Sequence, residues 1–68
     1  MNSLNDKFAT NLKRLRLGAK LSQAALAERA GLSVSYISML ERGERSPPLG
    51  TIEIFSKVLN RPATALLS

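Results

Sequence analysis

The chain has no cysteine, no histidine and no tryptophan, and Asp6 is its one aspartate. Each absence closes a class of chemistry. Without cysteine there is no disulfide and no thiolate metal site, and without histidine a zinc staple loses its other usual ligand. The same gaps remove Ser-His-Asp and Cys-His nucleophilic catalysis and ordinary zinc hydrolysis. Glu28, Glu41, Glu44 and Glu53 fall in different segments, and there is no glycine loop of the phosphate-cradling kind. The chain is therefore expected not to be an enzyme, and no cofactor is implied. Long apolar runs are missing too. The stretch from Met1 to Asp6 has no signal-peptide core, and nothing approaches membrane-spanning length. A soluble cytoplasmic protein without a membrane partner is expected.

Negative charge is scarce. Ten basic residues stand against five acidic ones, a formal net charge of +5 at pH 7. The surplus is uneven: Lys7, Lys13, Arg14, Arg16 and Lys20 face only Asp6, while the remainder is nearly balanced. Such a surplus suits a polyanion, nucleic acid or an anionic membrane, and equally a plain soluble surface. The 68 residues make one domain, 1–68. A chain of this size buries only about 60% of the surface its unfolded form exposes. Stability must come from a compact apolar core and a partner subunit.

What is present is organised around the stretch from Gln23 to Arg42. It reads as two short helices meeting at a tight turn. Ser22 is a good N-cap, and Leu26, Ala27 and Ala30 share one helical face. Gly31 breaks the run where a left-handed backbone suits a residue without Cβ. Ser33 can cap the second helix, whose Ile37 and Leu40 point inward, and Gly43 stops it. Ala27 and Gly31 are small enough to let the two helices cross closely.

Around this pair the chain is scaffold. Residues about 5–18 form a first helix with Phe8, Leu12 and Leu15 as its buried stripe and Asn5 or Asp6 as its cap, ending near Gly18. Lys7, Lys13 and Arg14 take its other faces. After Gly43, Pro47 and Pro48 make a rigid polar loop. A fourth helix runs from about Leu49 to Leu59, with Ile52, Phe55, Ser56 and Leu59 facing the core. Ile54 and Val58 form a second apolar stripe, suited to a subunit contact. Asn60 ends it, and Pro62 opens a short fifth helix through Leu67. Leu66 and Leu67 pack back on the core or on a partner.

The outward face of the third helix follows from 100° steps. With Ile37 pointing inward, Glu41 lies about 40° and Leu40 about 60° away, toward the body. Ser35, Met39 and Arg42 lie within about 40° of the opposite direction, flanked by Ser38 and Tyr36. A helix with such a small, mostly polar outer face can enter the major groove of DNA.

Leu21-Ser22-Gln23, Ala27, Gly31, Ile37 and the end Leu40-Glu41-Arg42-Gly43 together resemble the helix-turn-helix of phage-repressor-like regulators, the Cro/repressor or XRE family. The resemblance covers nearly the whole chain. It implies an all-α, compact five-helix domain with the helix-turn-helix at about 22–43. It also implies a transcriptional regulator that binds double-stranded DNA. By the same resemblance Val34, Ser35, Ser38 and Met39 match base-facing positions. Gln23 matches a phosphate anchor, and Arg45 and Ser46 match backbone contacts. Arg42 lies one turn beyond and is placed to reach a guanine or a phosphate. Tyr36 stands in a Ser-Tyr-Ile-Ser run similar to that of restriction–modification controller proteins, a small dimeric branch. Its hydroxyl suits a phosphate, and its ring suits the core edge. An arginine at the position of Arg16 pairs in the family with a glutamate at that of Glu41, so these two are expected to form a structural ion pair.

The chain departs from the better-known readers in having no Gln, Asn, Arg or Lys at the early positions of the third helix. Direct readout is then modest and is supplemented by DNA shape. It also has Pro48 where relatives often carry a cap-forming serine. The expected protein is a homodimer, joined through Ile54, Val58 and Leu66. It binds a near-palindromic operator and acts by blocking or assisting RNA polymerase. Two alternatives fit the same residues: an antitoxin or other protein-interaction module, and the DNA-binding head of a longer regulator.

Overall fold

The computed structural model describes residues 3–68. Met1 and Asn2, the start of the segment read above for a signal peptide, lie outside the described residues. Within them are five helices: α1 Leu4–Gly18, α2 Gln23–Ala30, α3 Val34–Glu41, α4 Leu49–Val58 and α5 Ala63–Leu67. No helix among the described residues is long and apolar enough to cross a membrane.

Caps decide where the first three helices begin. Ser22 Oγ accepts from the Ala25 amide at 3.0 Å, and Ser33 Oγ accepts from the Tyr36 amide at 3.1 Å. For α1 the cap is Ser3, which corrects the expectation of Asn5 or Asp6. Ser3 Oγ accepts from the Asp6 amide, and the Asp6 carboxylate reaches back to the Ser3 amide, a reciprocal capping box. Asp6 can close this box only from the third helical position, so it cannot also be the cap. Asn5 is freed for another task, and its side-chain amide donates to the Gly43 carbonyl at 3.0 Å. That bond ties the start of α1 to the end of α3. α4 begins at Pro48 with no side-chain cap.

The first four helices all stop the same way. One residue takes a left-handed backbone, Lys20 (φ 60°), Gly31 (φ 71°), Gly43 (φ 75°) and Asn60 (φ 54°) in turn. The next amide then reaches back across the turn: Leu21 to Arg16, Leu32 to Ala27, Glu44 to Met39 and Arg61 to Ser56, at 2.9–3.1 Å. This is the Schellman arrangement, which satisfies carbonyls that a helix end leaves open. For α1 the turning residue is Lys20, not Gly18, which remains helical. At Gly31 the requirement is conformational. A Cβ there would meet nothing within 4 Å, so close helix crossing is not what demands glycine. Gly31→Ala is expected to lower stability by about 1 kcal/mol, the cost of a left-handed alanine, with no loss of packing. Urea denaturation measures this.

One core joins all five helices. Phe8, Leu12, Leu26, Ile37, Leu40, Phe55 and Leu66 are fully buried, and the rings of Phe8 and Phe55 meet at 6.1 Å. Ser56, expected on the core face, sits at its rim instead. Its hydroxyl donates to the Arg61 carbonyl and helps close the turn after α4. Leu66 is the larger correction. It is 0% exposed, so it packs on the core and offers no surface to a partner. Asn11, a buried polar residue with no assigned role in the sequence, holds α5 in place. Its amide donates to the carbonyls of Leu66 and Ser68, both at 3.1 Å, and its own oxygen accepts from Arg14.

Candidate nucleic-acid interface

The helix-turn-helix is fixed from behind by one carboxylate. Glu41 ends α3 on its inward side. Arg16 Nε donates to Glu41 Oε2 at 2.7 Å, and Arg16 Nη2 donates to Oε1 at 3.1 Å. The two side chains are only 8% and 4% exposed. Arg16 Nη1 also donates to the Leu21 carbonyl at 2.8 Å, and Gln23 Nε2 donates to Glu41 Oε1 at 3.1 Å. Thus α1, the α1–α2 turn, α2 and α3 meet at one buried anion. Its charge is matched by arginine and its lone pairs are bonded, as a buried ion requires.

In front lies a concave surface of about 450 Å³ lined by Gln23, Val34, Ser35, Ser38, Met39 and Arg42. Gln23 comes from α2, Val34, Ser35, Ser38 and Met39 from α3, and Arg42 from the residue that caps α3, and together they form a single face. Val34, Ser35 and Arg42 are exposed, whereas Gln23, Ser38 and Met39 are half-buried. Gln23 keeps one side-chain N–H beyond the one given to Glu41. Its position is therefore set from inside while part of its amide remains available outside.

The other candidates do not line this concavity. Tyr36 is half-buried and packs against the core cluster. Arg45 and Ser46 are exposed in the loop before α4, and Ser46 lines a different, apolar groove with Leu4, Phe8, Leu49, Ile52 and Leu67. Lys7, Lys13 and Arg14 are exposed on α1. Ile54 is 37% exposed on α4, and Val58 is half-buried beside the core.

Arg42 is not free. Its Nε and Nη2 donate to the two Glu44 oxygens at 2.7 and 3.1 Å, and its Nη1 donates to Ser38 Oγ. The hydrogen bonds from Arg42 hold the Glu44 carboxyl below its ordinary range, and Glu44 in turn raises Arg42. Sequence spacing gave no sign of this pair, because residues two apart do not meet on a helix. The left-handed Gly43 makes it possible by folding the chain back after α3. Among the described residues no cluster of three or more acidic groups is placed to hold a metal ion.

Similarity to known proteins agrees with this geometry. Residues 12–66 match the HTH_3 helix-turn-helix family. The control protein C.SmaI of Serratia marcescens is 38% identical over 65 residues, 96% of this chain and 77% of that one. The immunity repressor of Bacillus phage phi105 is 38% identical over 56 residues, 82% of this chain but 39% of the repressor. Among solved structures, the restriction–modification controller C.AhdI of Aeromonas hydrophila superposes with a TM-score of 0.87 at 35% identity. That match covers 91% of this chain and 94% of the controller. These relatives are regulators rather than enzymes. The 68-residue chain belongs to the HTH_3 helix-turn-helix family of XRE-type DNA-binding transcriptional regulators.

Proposed function

We propose that this protein is a sequence-specific regulator that binds a near-palindromic operator in double-stranded DNA as a homodimer. One observation carries the reading. The outer half of α3, with Gln23 from α2, forms a concave face, while the inner half is anchored by the buried Arg16–Glu41 pair. A helix held rigidly with a small-residue outer face fits the major groove. Ser35 and Ser38 offer hydrogen bonds to base edges, and Val34 and Met39 offer apolar contact to thymine methyls. Gln23, Arg45 and Ser46 contact the sugar–phosphate backbone and set the register. Tyr36 adds its hydroxyl at the edge of the face.

The body measures 30 × 23 × 21 Å. Two copies joined through the Ile54–Val58 stripe of α4 can present their α3 helices one helical turn apart, about 34 Å. Such a dimer represses by occluding RNA polymerase or activates by recruiting it, and it works in the cytoplasm. The names of C.SmaI and the phage repressor, a control protein and a repressor, favour regulation of this kind.

Selection of bound duplexes from a random pool tests the proposal. Inverted half-sites with centres about 10 base pairs apart are expected. Affinity should fall with salt at a log–log slope of about −0.9 for each phosphate neutralised. Recovery of unselected sequence, or of single unpaired half-sites, overturns it.

A further inference from the structure

Arg42 lines the concave face, and the fork it forms with Glu44, which does not line that face, has little to do with stability. Both side chains are more than half exposed, 54% and 53%. A pair so open to water contributes little to folding. Its effect is on direction. A guanidinium carries five N–H groups. Glu44 takes the side of the group formed by Nε and Nη2, and Ser38 takes one N–H of Nη1. One N–H on each of Nη1 and Nη2 remains. Those two donors equal in number the O6 and N7 acceptors that guanine presents in the major groove. The carboxylate also offsets the charge of Arg42, which weakens its attraction to phosphate while leaving its hydrogen-bonding edge intact.

We infer that Glu44 is a positioning and specificity-determining residue: it aims Arg42 at a base pair and makes it a guanine reader rather than a phosphate contact. This rests on the DNA-binding reading above. It supplies what the early positions of α3 lack, since Val34, Ser35, Ser38 and Met39 have no bidentate donor pair. Glu44 acts only through Arg42 and touches no base itself.

The test compares the wild-type protein with Glu44→Ala and Arg42→Lys, using selected duplexes and variants of them changed at one base pair. With wild type, a guanine is enriched in each half-site, and replacing it lowers affinity about tenfold. With Glu44→Ala the preference shrinks below about threefold, and affinity for random duplex rises. The salt slope steepens by about 0.9 as Arg42 turns to a phosphate. Arg42→Lys loses the preference as well, because an ammonium cannot form the fork. Unchanged thermal midpoints separate these effects from unfolding. A Glu44→Ala protein that keeps the full guanine preference overturns the inference alone. So does a wild type that binds a defined operator with no guanine enriched. A wild type that binds no duplex DNA overturns the DNA-binding reading and this inference together.

Discussion

Arg16→Ala is expected to destabilise the protein by about 3 kcal/mol, because it leaves the Glu41 carboxylate buried without its cation. In a domain this small that loss lowers the thermal midpoint by about 15 °C. Circular dichroism melts read it directly. The reason is positional. Glu41 is nearly inaccessible, with a side chain 4% exposed, and Arg16 supplies two of its three hydrogen bonds. Arg16 also satisfies the Leu21 carbonyl, which loses its partner too. The double replacement Arg16→Met with Glu41→Leu should recover much of the loss, since an apolar pair of similar volume suffers no desolvation. DNA affinity should not recover with it, because Gln23 still lacks the carboxylate that holds its amide. A single replacement costing less than about 1 kcal/mol would show that the pair does not fix α1 to α3.

The second large effect is expected on operator binding. Ile54→Glu places a charge on the exposed stripe of α4, and the protein should sediment at half its former mass. Each half-site is then bound alone. Affinity for the full operator should fall at least about 100-fold, while affinity for an isolated half-site stays unchanged. Ile54 is the right position because it is 37% exposed, so a glutamate there meets water in the free subunit. The same change at Val58 would disturb packing against the core, and at Leu66 it would break the fold. A dimer that survives Ile54→Glu would move the interface elsewhere, with Leu49, 83% exposed at the start of α4, the next residue to change.

Much of this arrangement was legible in the chain itself. Ser22, Ser33, Gly31, Gly43 and Asn60 each do what their chemistry suits, and the 100° wheel for α3 put Ile37 and Leu40 inside. The wheel also turned Glu41 inward, where the structure places it against Arg16. The misses share a cause. Ser3, Asn5 and Asp6 are all cap-forming types, and only the reciprocal bond across three residues decides between them. Leu66 was open to core or partner because a five-residue helix has too few positions to show a face. Asn11 holds α5 across more than fifty residues of sequence, a separation that no local pattern reports. Arg42 read as an unpaired cation because its partner arrives only through the turn at Gly43.

α5 has a consequence of its own. Five residues are far below the length at which a helix forms alone in water. Its order is lent by the burial of Leu66 and by the Asn11 amide, which grips the Leu66 carbonyl and that of Ser68 just beyond the helix. Backbone amides in this segment should therefore exchange with solvent through a local opening of lower free energy than the global one. Each such event uncovers the seat of Leu66 beside α1. The segment is expected to act as a latch on the core, opening by itself while the rest of the domain stays folded.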